Sequence, residues 1–152
     1  MTTRTLLLGI PLAIMGAACG VSDTEVTGGD VSIAIQQSLT GATTSAGTFT
    51  MTGALSDNGQ TSEALTFGGP LTQSPVPVTF RRTLSGRNGT IVFTGSASLA
   101  FTSPTAATLT GTWVVESATG AYAKGQGTLT GAANFGATPP TADIVYSGSL
   151  TR

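Results

Sequence analysis

The 152-residue chain contains no histidine, and only 9% of it is charged. Without imidazole there is no Ser-His-Asp arrangement, no His–metal site and no side chain whose ordinary pKa lies near neutrality. Cysteine occurs once, at Cys19, so no intramolecular disulfide forms. Basic and acidic residues nearly balance, for a formal net charge of −1, and the basic ones form no stripe. Nucleic acid is therefore not an expected partner. There is no glycine-rich phosphate loop leading into a helix, because Gly125-Gln126-Gly127 precedes a strand-like run. Long apolar runs are also missing. The longest stretch, Leu6 to Ala18, reaches roughly 20 Å as a helix against about 30 Å of hydrocarbon, and Pro11 interrupts it.

That short run is informative for another reason. It follows a single positive charge, Arg4, and ends in the small residues Gly16-Ala17-Ala18 before Cys19, the three parts of a secretory signal peptide. Gly16-Ala17-Ala18-Cys19 resembles a bacterial lipobox, in which the cysteine is lipidated and becomes the mature N-terminus. The pattern usually has Leu three residues before the cysteine, where this chain has Gly16. The expectation is an exported protein of the cell envelope, lipid-anchored at Cys19, with ordinary cleavage to a soluble secreted protein as the alternative. Several acyl chains, at about 0.8 kcal/mol per buried CH₂, would hold it firmly on a membrane. Residues 1–19 are thus read as leader, 20–30 as a polar flexible tether, and 31–152 as one domain.

Within that domain the apolar residues recur at period two, interrupted by turn signals at short intervals. Eight strand-like segments result: Val31–Thr40, Gly47–Leu55, Gln60–Phe67, Val76–Leu84, Ile91–Phe101, Ala107–Glu116, Gly127–Phe135 and Asp143–Leu150. Asn58-Gly59 and Asn88-Gly89 read as tight hairpin turns, since both residue types tolerate positive φ. Ala118–Ala123 is the one place where a helical turn looks natural. No stretch supplies an amphipathic helix of useful length. The fold class is all-β: an antiparallel up-and-down, calycin-like barrel of about eight strands, closed so that no edge is left open. An open sandwich is the alternative. Gly53, Gly95, Gly111, Gly131 and Gly148 inside the strands suit the sharp coiling that a small barrel needs.

The block from Gly111 to Gly131 (GTWVVESATGAYAKGQGTLTG) pairs a Gly-x-Trp strand with a Thr-Gly-Ala-Tyr-Ala turn and a following Gly-x-Gly strand. It resembles the signature of the allene oxide cyclase-like barrel family, relatives of the dirigent proteins. Gly47–Gly59 and Arg82–Thr90 are similar to that family's early hairpins. The resemblance implies an eight-stranded barrel that needs no cofactor, with a hydrophobic lumen able to hold a reactive substrate in one conformation. It transfers no catalytic residue to this chain. Read physically, Trp113 is the natural plug of the lumen, and Tyr122 folds back over one barrel end.

Few side chains remain for chemistry. Arg81 and Arg82 are adjacent, so they face opposite sides, and Arg82 shares its face with Val78, Phe80 and Leu84. Glu63 shares its face with Leu65 and Phe67. An inward Glu63 paired with Arg82 would polarise a substrate oxygen, although positions near strand ends would leave both solvated. Glu116 is expected outside or at the rim, Asp143 in a turn, and Tyr146 in the core. The lumen candidates are Glu63, Arg82, Trp113 and Tyr146. Two functions follow: a non-catalytic barrel binding a small apolar ligand or a protein partner, or a cofactor-free cyclase or isomerase working by confinement. A roomy lumen would favour ligand chemistry, and one filled by Trp113, Phe49, Phe80 and Met51 would exclude it.

Overall fold

The computed structural model describes residues 28–152; the leader, Cys19 and the tether as far as residue 27 lie outside the described residues. Eight strands follow one another: β1 (Gly28–Leu39), β2 (Thr44–Gly53), β3 (Asp57–Phe67), β4 (Val76–Gly86), β5 (Thr90–Ser103), β6 (Ala106–Ala118), β7 (Gly125–Asn134) and β8 (Thr141–Thr151). Each pairs antiparallel with the next, and β8 returns to pair with β1 from Gly28↔Thr151 to Ser38↔Thr141, closing the barrel. Closure leaves no unpaired row of backbone amides, which is what the meander pattern predicts.

Alternation sorts the side chains. Ile33 and Ile35 of β1, Phe49 and Met51 of β2, Leu84 of β4, Phe93 of β5, Trp113 of β6 and Leu150 of β8 are all buried in the lumen. Burying each contributes about 1.5–3 kcal/mol. The outer faces carry chiefly Thr, Ser, Ala, Asn and Gln; Thr48, Thr50 and Thr52 on β2 are typical. The exposed large apolar side chains among the described residues are Leu71, Val114 and Val145. This arrangement, apolar within and hydroxyl-rich without, is the reverse of a lipid-facing barrel.

Three details depart from the sequence reading. Strand β1 starts at Gly28, so the last residues assigned to the tether already pair with Leu150 and Thr151. Asn58-Gly59 is not the β2–β3 turn: both residues lie inside β3, opposite Thr50 and Phe49. The chain reverses at Ala54–Ser56 instead, where Gly53 takes the positive φ (111°) that the turn needs. Ala118–Ala123 forms a turn with no helix. By contrast, Asn88-Gly89 does sit in a tight connection, with the Gly86 amide donating to the Gly89 carbonyl at 3.0 Å.

The topology gives the barrel two unlike ends. Connections 54–56, 87–89 and 119–124 crowd one end together with Gly28 and Thr151. Connections 40–43, 68–75, 104–105 and 135–140 surround the other.

Candidate functional site

The first end is plugged. Tyr122, in the β6–β7 connection, is buried and donates its hydroxyl to Asp57 Oδ2 at the start of β3. Asp57 also accepts the backbone amides of Asn58 (2.8 Å), Arg87 (3.0 Å) and Asn88 (3.1 Å). Burial works against the carboxylate, but the Tyr122 hydroxyl and these three amides outweigh it and hold its pKa below the usual value. The same burial and the adjacent Asp57 charge push the Tyr122 phenol well above its ordinary range. A side chain on Gly86 would run into the Asp57 carboxylate, so glycine there is what lets the two approach.

Midway along the lumen, the inner wall carries a row of polar residues. Cross-strand register places Ser45 beside Glu63 and Glu63 beside Arg82. Arg82 is fully buried and Glu63 nearly so, with Nη2 of Arg82 2.6 Å from Oε1 of Glu63. That contact is an ion pair whose alignment falls short of a hydrogen bond. Of the two placements the sequence left open, in the lumen or solvated near strand ends, both residues take the first, deep in the wall, because strands β3 and β4 extend beyond them toward both barrel ends. The guanidinium also donates from Nε to Tyr146 Oη across the lumen (3.0 Å) and from Nη1 to Thr61 Oγ1 (3.1 Å). Glu63 Oε2 accepts from Gln37 Nε2 and from Ser45 Oγ, each at 3.0 Å. Networks of this kind offset the cost of burying charge only when nearly every group is satisfied.

Tyr146 stands at the junction of this network and an aromatic cluster. Its ring meets Phe80 edge-on at 6.0 Å and lies 5.8 Å from Phe93, while Phe93 and Trp113 are 4.6 Å apart. Burial and the Glu63 charge raise the Tyr146 phenol, and Arg82 only partly opposes them, leaving the pKa at about 12. Trp113 donates its indole N–H to the Thr128 carbonyl at 3.0 Å. Its partners on both neighbouring strands, Gly95 and Gly127, are glycine, and a side chain on Gly95 would run into the Phe80 ring.

Toward the other end the lumen is hollow. A cavity runs from Glu63, Phe80, Leu129 and Tyr146 outward to Leu39, Phe67, Phe135 and Pro140. The cavity is small, about 60 Å³, and opens to solvent at its mouth. It ends inward at Glu63 and Tyr146, in the form of a cup. The walls are apolar, and Phe101 and Phe135 pack at 5.3 Å beside the rim. The polar side chains lining it are Gln37, Glu63, Thr141 and Tyr146.

Of the four lumen candidates, Glu63 and Tyr146 line the cup. Arg82 and Trp113 lie behind them in the packed half, and Phe49 and Met51 fill that half too. Arg81 and Glu116 form an exposed outer pair at 2.8 Å, and Asp143 is exposed near the start of β8. Gln37, Ser45, Thr61 and Asp57 were not anticipated. Each was open to inference by extending a period-two face: Gln37 follows Ile33 and Ile35, while Asp57 and Thr61 precede Glu63.

Fold and cavity together define an up-and-down β-barrel with one plugged end and one apolar cup. Compared with known protein families, curated proteins and solved structures, the chain finds no match.

Proposed function

We propose that this chain is an exported binding protein, held at a membrane by a lipid on Cys19, whose barrel takes a small, slender apolar molecule end-on. The cup carries this reading: a one-ended apolar cavity that stops at a few polar groups is the usual form of a small-ligand site. The leader sequence and the Gly16–Cys19 motif support export and anchoring.

Binding is favoured over the cyclase suggested by the resemblance of the Gly111–Gly131 block to allene oxide cyclase-like barrels. With its pKa near 12, Tyr146 orients a ligand by hydrogen bonding and is a poor proton donor at neutral pH. The test is thermal unfolding of the protein with a panel of slim apolar molecules. A ligand at 100 times its Kd should add about 2.7 kcal/mol, a rise of several degrees. Ala133→Trp, which fills the cup beside Phe135, should abolish the rise. If no molecule in the panel stabilises the wild-type protein, the binding reading fails. Radiolabelled palmitate, incorporated by the wild-type chain and not by Cys19→Ala, tests the anchor.

A further inference from the structure

One rung of the sheet forms the inner wall of the cup at the level of Tyr146. Cross-strand pairing sets Val78, Ala97, Gly111, Leu129 and Tyr146 side by side on β4 to β8. All of them except Gly111 line the cavity. Alternation turns Ala97 inward, since Leu99 two residues on is buried while Ser96 is exposed. The other members of the rung are held by contacts of their own. Tyr146 accepts from Arg82 Nε and packs against Phe80 and Phe93. Val78 belongs to a buried cluster with Val76, Leu99 and Ala107, and Leu129 to the main core. Gly111 has no room for a side chain, because a Cβ there would run into the Ser96 carbonyl and the Ala97 methyl. Ala97 alone of the five is a half-buried side chain that stops short beside the hollow.

We infer that Ala97 sets the depth of the cup, and with it the length of apolar chain that the barrel accepts. The inference rests on the cup being a binding site. Alanine ends at Cβ, and a longer side chain at this position has the hollow to grow into, with the wall behind it closed by the paired backbones of β5 and β6. Leucine would carry three more carbons into the inner end. Close-packed walls do not yield that space elsewhere, so a bound chain would have to end correspondingly sooner. Leu129, on the same rung, works in the opposite sense: cutting it back to alanine deepens the hollow beside Tyr146.

Titration calorimetry with straight-chain alcohols from butanol to dodecanol, used as probes of graded length, finds the chain that binds most tightly. Ala97→Leu should move that optimum about two to three carbons shorter and leave the affinity for butanol within about threefold of wild type. Leu129→Ala should move it longer. An unchanged optimum with every alcohol weakened alike would overturn the inference and make Ala97 a packing residue only. Long alcohols bound by Ala97→Leu as tightly as by wild type would overturn it too. If Ala97→Leu does not fold, Leu129→Ala decides alone: a longer optimum supports the inference and an unchanged one rejects it. Binding of no alcohol by the wild-type protein, with Ala133→Trp indistinguishable from it, would reject the binding site itself.

Discussion

Tyr122 and Asp57, sixty-five residues apart in the chain, meet across the plugged end, where the phenol donates to the carboxylate. This bond ties the β6–β7 connection to the beginning of β3, and with it the Gly120 turn to the two hairpins beside it. Hydrogen bonds to charged groups contribute about 1.5–3 kcal/mol, so Tyr122→Phe should lower stability by that order. Urea unfolding at pH 7 would show it as a lower midpoint at unchanged slope. A loss below about 0.5 kcal/mol would mean that the bond has no structural importance.

Acid should loosen the same plug. The Asp57 pKa is depressed in the folded chain, below its ordinary 3.8. Its stabilisation is therefore complete above that value and disappears as pH falls through the lower, folded one. The stability advantage of wild type over Asp57→Asn should be full at pH 6 and shrink steadily below pH 4. A difference independent of pH would assign the effect to shape alone.

Alkali acts on both tyrosines. Tyr122 and Tyr146 are the two in the chain, and both phenols are raised, Tyr146 to about 12. A raised folded pKa means stability that is complete below the unfolded value near 10 and is lost as pH climbs toward the folded one. Absorbance near 295 nm should stay flat in the folded protein at pH 10, where a free phenol is half ionised. Tyrosinate should then appear together with unfolding between about pH 11 and 12. Appearance of one full tyrosinate at pH 10 with the fold intact would contradict the burial of these side chains.

The Glu63–Arg82 pair sets a fourth expectation. Arg82→Met leaves Glu63 as a buried charge without its partner, and such removals cost about 3–5 kcal/mol. The melting temperature should drop by about 10 °C or more. Adding Glu63→Leu should restore much of the loss, because the charge it strands is then gone. A double variant no more stable than Arg82→Met would show that the loss comes from packing of the Arg82 side chain.

The strands were legible because one face of each is apolar at period two, as in Val78, Phe80 and Leu84, and the barrel followed from strand number and short connections. Arg82 could be placed on the inner face for the same reason. Its depth could not, because that depends on how far β3 and β4 extend beyond the apolar pattern. Asn58-Gly59 misled because its local preference for a turn lost to pairing with Thr50 and Phe49, once Gly53 had supplied the bend. The inward face of Asp57 follows from its alternation with Thr61 and Glu63, but its partners at 87, 88 and 122 become neighbours only once the strands pair and the β6–β7 connection folds over the barrel end. The cup was least visible of all. Hollow and filled lumens share one alternation, and the difference lies in small inward residues such as Ala97 and Ala133 opposite larger ones.

Closure through β1 and β8 also has a mechanical side. Both described chain ends lie at the plugged rim, where Gly28 pairs with Thr151 in an antiparallel ladder. Force pulling the two ends apart loads only that first rung, then the next, so the barrel unzips one hydrogen bond at a time. Force drawing the N-terminus away from the mouth instead shears β1 along β2 and β8, loading many rungs at once. Were the chain tethered by its N-terminus and pulled through a molecule held in the cup, the load would fall in the stronger of these two directions.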